Sequence, residues 1–107
     1  MTIPKKERHT AGYLVANYDI TNEEGYQRYI STVGPTIIAH GGEILVAGPG
    51  SEVVEGNPGL VTVVLKFPSK DAIRTWYDSP EYQEIIHHRT DNTDGALVFA
   101  DEFVMPG

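Results

Sequence analysis

The sequence predicts one α+β domain of element order βαββαβ, on three observations. Four runs rich in aromatic and β-branched residues lack internal turn signals. Two helix starts with capping chemistry separate the first run from the second and the third from the fourth. A single turn-rich link joins the second run to the third.

The first strand is GYLVANYDI, Gly12 to Ile20. Thr21, followed by Asn22-Glu23-Glu24, predicts a helix start in which Thr21 caps the third amide, Glu24 reaches back, and both acids face the positive end of the helix dipole. Tyr26, Tyr29, Ile30, Val33 and Ile37 then recur at helical spacing. Gly34-Pro35 should kink or restart this helix, because Pro35 donates no amide and its ring crowds the preceding turn. The helix should end at His40, with Gly41 in the left-handed conformation. GEILVAG, Gly42 to Gly48, is the second strand.

The link holds Pro49-Gly50-Ser51, a short extended piece Glu52-Val53-Val54-Glu55, and Gly56-Asn57-Pro58-Gly59, whose Pro58-Gly59 suits the centre of a type II turn. LVTVVLKF, Leu60 to Phe67, is expected to be the longest strand. Pro68 ends it, and Ser69-Lys70-Asp71 opens a helix through Trp76 and Tyr77. Ser79-Pro80-Glu81 opens another, from Pro80 to about Arg89. Asp91 to Gly95 reads as a turn, and Ala96 to Phe103 as the fourth strand. The order is that of a ferredoxin-like sandwich, a four-stranded antiparallel sheet with helices on one face. Residues 12–104 form this domain, and residues 1–11 are expected to be a flexible tail.

The 107 residues are 40% hydrophobic and 21% charged, an ordinary globular composition. Net charge is −7, which disfavours nucleic acid and anionic membranes as partners; Lys5, Lys6 and Arg8 form the one basic cluster. The absence of cysteine excludes disulfides, thiolate metal sites and a cysteine nucleophile. No apolar run resembles a signal peptide or a membrane span, so the cytoplasm is the expected location.

A sheet covered on one face should alternate between apolar and polar residues. Leu60, Val61, Val63, Val64 and Leu65 occupy both faces instead, as do Ala96 to Ala100. Helices cover only one face, so the other is expected to meet a second copy of the same sheet in a homodimer.

Specific residues carry a resemblance: Gly12-Tyr13 with Asp19, Tyr26 with Tyr29, Gly41-Gly42, Glu55-Gly56, Phe67-Pro68-Ser69, and above all Trp76-Tyr77-Asp78-Ser79-Pro80-Glu81-Tyr82 with Arg89. From about Gly12 to Phe103 the chain resembles the domain-of-unknown-function family 1330, within the dimeric α+β barrel superfamily. The resemblance implies a ferredoxin-like protomer whose sheet packs on its mate's, with a cleft between sheet and helices. Related families include cofactor-independent monooxygenases, muconolactone isomerases, dehydratases and proteins without demonstrated chemistry. It also implies a histidine in many members where this chain has Asn17, an amide that cannot exchange protons near neutral pH.

Candidate site residues follow from environment. Arg89 shares a helical stripe with Tyr82, Ile85 and Ile86, so its guanidinium must be paired, either by an acid such as Asp19 or Asp101, by carbonyls at its helix end, or by an anionic ligand. Tyr29 and Tyr82 lie on inward stripes, as core residues or as pocket acid/base groups. Asn17 sits among apolar neighbours and must bond protein, water or ligand. His40 caps a helix end or serves the pocket as acid/base. Ser79, in the most specific part of the resemblance, is a helix cap and a ligand-binding candidate. His9, His40, His87 and His88 lack metal spacing, and His87 and His88 are expected on an outer helix face. No metal or cofactor is expected. The function read from this is a cofactor-independent small-molecule enzyme or ligand-binding protein for a small organic, anionic ligand, with its pocket between the sheet and helix one; the alternative is a non-catalytic dimeric interaction module. A cavity of ~300 Å³ or more near Asn17, Tyr29 and Arg89 separates the two.

Overall fold

The computed structural model describes residues 10–106. Its elements are β1 (Gly12–Ile20), α1 (Glu23–Ala39), β2 (Glu43–Gly48), β3 (Val61–Phe67), α2 (Lys70–Tyr77), α3 (Pro80–Ile85), α4 (His87–Thr90) and β4 (Thr93–Asp101). The strands form one antiparallel sheet in the order β2-β3-β1-β4, the ferredoxin-like arrangement. The basic cluster, His9 and most of the expected tail lie outside the described residues. Ala11, at the tail's end, is buried; its amide donates to Glu102 Oε1 and its carbonyl accepts from the Glu102 amide, both at 2.9 Å.

Local chemistry moves several boundaries. The cap of α1 is Asn22, not Thr21: Asn22 Oδ1 accepts from the Gly25 amide at 3.4 Å, which shifts the capping register by one and leaves Glu24 too early to reach back. Pro35 does not end α1. Both Pro35 and Ser31, whose carbonyl loses its partner, are exposed, so that carbonyl is open to solvent. The helix closes as expected. Gly41, at φ +82°, lets its own amide bond Ile38 O and the Gly42 amide bond Ile37 O, the paired pattern of a glycine-terminated helix.

Residues 49–60 hold no strand, so the short piece at 52–55 does not join the sheet. Gly59 lacks the positive φ that a type II turn requires. It is needed for proximity, since a Cβ there would overlap the Tyr18 backbone. β3 has 7 residues and is shorter than β1 and β4, at 9 each. β4 begins at Thr93, inside the expected turn, because β1 is long enough to pair Ile20 with Thr93 and Asp19 with Asp94. The helix expected over 80–89 divides at Ile86, whose own backbone stays helical at φ −58° and ψ −33°.

Alternation along the strands sorts the two faces. Leu14, Ala16 and Tyr18 of β1 and Val61, Leu65 and Phe67 of β3 face the helices and join Tyr26, Tyr29, Ile37, Ile73, Trp76 and Tyr82 in one core. On the opposite face the register aligns Val46, Val64, Val15 and Val98 in one row across all four strands. No helix lies on that row; Val46 and Val98 are 46% and 55% exposed. The helix layer also stops short of β2, whose residues Glu43 to Ala47 are all exposed. This leaves a gap between α1 and the sheet edge.

Candidate functional site

Behind that gap lies a cavity of about 520 Å³, within the range of small-molecule sites. Its rim is formed by Ile30 of α1, Ile44 of β2 and Leu60, which are 50%, 47% and 62% exposed. Its floor is formed by Leu14, Ala16, Leu65, Trp76 and Leu97, with Tyr18, Tyr26, Tyr29 and Arg89 at the deep end.

Arg89 is 9% exposed. Its Nε–H donates to Tyr82 Oη at 3.3 Å, and its guanidinium carbon lies 5.9 Å from the centre of the Tyr29 ring. No carboxylate among the described residues pairs with it. Among the described residues the ion pairs are Lys70 with Asp101 at 3.3 Å and Arg74 with Asp78 at 3.6 Å, while Asp19 Oδ1 accepts from the Leu60 amide at 2.9 Å. The expected pairing with Asp19 or Asp101 is therefore not formed, nor does the side chain reach carbonyls at its helix end. Among the described residues no buried side-chain nitrogen or oxygen lacks a hydrogen-bond partner. The two Nη groups bond no described residue and are thus not sealed in, and Arg89 is part of the cavity lining.

The phenols beside it are linked. Tyr82 is fully buried, and its oxygen accepts from Arg89 and shares a hydrogen bond of 2.8 Å with Tyr29 Oη, in which either hydroxyl can be the donor. Tyr29 lines the cavity, so when Tyr82 donates to it the Tyr29 proton is available to a ligand. Tyr18 and Tyr26 form a second pair, with hydroxyls 2.6 Å apart.

Burial pushes the phenols of Tyr18, Tyr26 and Tyr29 above their ordinary value, and it outweighs the lowering effect of Arg89. These groups are neutral donors near neutral pH, not bases. Arg89 is held charged: desolvation opposes its charge, but the Tyr82 and Tyr29 oxygens outweigh it. A pH prediction follows. The folded chain retains phenolic protons that the unfolded chain releases above the free value of 10.0, so stability is complete below that pH and is lost as pH rises past it. The expected slope is about 1.4 kcal/mol per pH unit for each such tyrosine. Phenolate absorbance followed together with circular dichroism checks this: three of the six tyrosines should ionise only as the fold is lost. Reversible ionisation of all six near pH 10 in the folded protein would contradict it.

Of the residues picked out by sequence, Tyr29, Tyr82 and Arg89 converge, with Tyr82 behind the cavity wall as the support of the other two. Asn17 does not join them. Its neighbours Ala16 and Tyr18 face the helices, so it points to the open face, where Oδ1 accepts from the Gly59 amide at 2.6 Å and Nδ2 lies 3.2 Å from Gly59 O, Val61 O and Thr62 Oγ1. Ser79 is a buried cap outside the cavity lining: it accepts from the Tyr82 amide at 3.3 Å and donates to Trp76 O at 2.7 Å. His40 lies outside the cavity, with Nδ1 donating to Thr36 O at 3.0 Å. Tyr18, Tyr26 and Trp76 line the site without having been singled out for it. The signal for Tyr18 was its strand parity with Leu14 and Ala16, and for Tyr26 its place three residues before Tyr29 on one helix face.

Solved structures share this fold at low identity. A protein of unknown function from Rhodopseudomonas palustris superposes with a TM-score of 0.74 at 18% identity, covering 92% of this chain and 86% of that one. The methylated form of that protein gives 0.75 at 19% identity, covering 94% and 85%. A conserved protein from Methanosarcina mazei Go1 gives 0.58 at 12% identity, covering 89% and 95%. No curated protein matches the chain. The model of one family matches residues 11–103, almost the whole domain built above, and the chain therefore belongs to that family, described as Domain of unknown function (DUF1330).

Proposed function

We propose that the protein is a cytoplasmic, cofactor-independent small-molecule protein that binds an organic anion in the cavity between its sheet and α1. The observation that carries this reading is Arg89: a buried cation without a carboxylate partner, with free N–H groups on a cavity of about 520 Å³. An unpaired charge in such a place is costly, and an anion offsets that cost. Tyr29 adds a neutral donor beside it. Any chemistry built on this site uses hydrogen-bond donation to developing negative charge, because the phenols are too basic to be ionised at neutral pH. The alternative of a pure interaction module would call for a filled interior, and this one holds a cavity.

The test is thermal unfolding against a panel of small organic anions in EDTA. At least one should raise the midpoint of the wild type by mass action and leave that of Arg89→Leu unmoved. A panel without effect on either protein, or an effect that needs added zinc, would overturn the reading.

The row of valines on the open face supports a homodimer that buries it against a second copy. Light scattering after size exclusion should give about twice the 11.8 kDa chain mass at micromolar concentration. Val15→Asp, at the centre of the row, should shift the protein toward monomer; a wild-type monomer would sink the dimer.

A further inference from the structure

The cavity is graded from charge to hydrocarbon. Arg89 is the one cation in its lining among the described residues, and Glu23, on the exposed first turn of α1, is the one carboxylate. Besides the tyrosines, the inner lining includes Leu14, Ala16, Val33, Leu65 and Leu97. Arg89 is buried while the rim residues Ile30, Ile44 and Leu60 are about half exposed, so a ligand enters with its charged end first and leaves its far end at the rim.

We infer that the ligand is an apolar monocarboxylic acid, bound with its carboxylate on Arg89 and Tyr29 and its hydrocarbon body along the wall toward the gap between α1 and β2. This deepens the organic-anion reading and rests on it. A planar guanidinium with both Nη groups free matches the two oxygens of a carboxylate, and the Tyr29 proton supplies a third donor. A second negative charge would find no cation on these walls and would pass Glu23 at the mouth. A neutral head group would leave guanidinium donors unpaired. A polar body would lose its water to a hydrocarbon surface.

Calorimetric titration of the full chain with butanoate, hexanoate, octanoate and decanoate tests this, beside the matching primary alcohols, adipate and inorganic phosphate. Affinity should rise about fourfold per added methylene until the tail reaches the rim. Hexanol and adipate should each bind about tenfold or more weaker than hexanoate. A second variant maps the path. At Gly34, which lines the cavity, a Cβ meets nothing within 4 Å, so Gly34→Phe fits the helix and fills the mouth. It should retain or raise the unfolding midpoint and remove the dependence on chain length. Outcomes separate the two levels of the reading. If adipate or phosphate binds as well as hexanoate through Arg89, or if chain length is without effect in the wild type, the anion site stands and the apolar monocarboxylate falls. If alcohols match the acids, the carboxylate head falls. If none of these anions binds the wild type, both levels fall together.

Discussion

Trp76→Ala is expected to lower the unfolding free energy by about 3–5 kcal/mol, the largest stability effect of any single truncation in this core. Trp76 is 1% exposed and sits where the helices meet: its ring lies 4.1 Å from that of Tyr82 and 5.6 Å from that of Phe67, centre to centre. Its indole N–H donates to Thr36 Oγ1 at 3.0 Å and so ties α2 to α1 across the end of the cavity. Removal leaves a void next to a cavity already present, and the neighbours cannot close both. For a domain with a total stability of about 5–15 kcal/mol, the change takes a large share. Trp76→Phe separates packing from the hydrogen bond, and should cost about 1–2 kcal/mol. Urea unfolding with unchanged slope measures both. Equal losses for Phe and Ala would mean that the hydrogen bond, and not the ring, holds the helices together.

The legibility of this protein in its sequence followed the range of the interactions. Elements fixed by local chemistry were readable: Ser69 caps α2, Ser79 caps α3, and Gly41 terminates α1. The stripe from Tyr82 to Arg89 placed the guanidinium correctly because helical spacing decides it. Errors arose where two local solutions competed. Thr21 and Asn22 both cap helices, and in the fold Asn22 takes the cap. Pro35 breaks a helix in isolation, but here the carbonyl that loses its bond lies on an exposed face, where solvation lowers the cost. β4 starts early because β1 offers partners, which no residue of β4 announces.

At the site, Asn17 was misplaced although strand parity could have put it on the open face. The apolar residues on both sides of the sheet hid that parity. Arg89 bonds Tyr82 of its own stripe, while the acids named from sequence are engaged elsewhere. The contact that could not be read is the one between Tyr82 and Tyr29, 53 positions apart, which depends on where α1 lies. A pocket between the sheet and helix one was expected, but not its opening beside β2, whose residues Glu43 to Ala47 are all exposed.

Arg89→Leu is expected to weaken binding of organic anions by about 100-fold or more, the loss that follows when the cation of a buried charged pair is removed. In the empty protein it should behave differently. No carboxylate is stranded by its loss, Tyr82 retains its bond to Tyr29, and the leucine places hydrocarbon on the cavity wall. The cost of an unpaired buried charge disappears with the charge.

Equilibrium urea unfolding of the ligand-free wild type and Arg89→Leu, side by side, therefore tests the central claim most directly, and needs no knowledge of the ligand. If Arg89 is held for an anion, the two stabilities should agree within about 1 kcal/mol, or the variant should be the more stable. A loss of about 3–5 kcal/mol in the variant would mean that the guanidinium is a structural ion-pair partner, and would contradict the assignment of this cavity as an anion site.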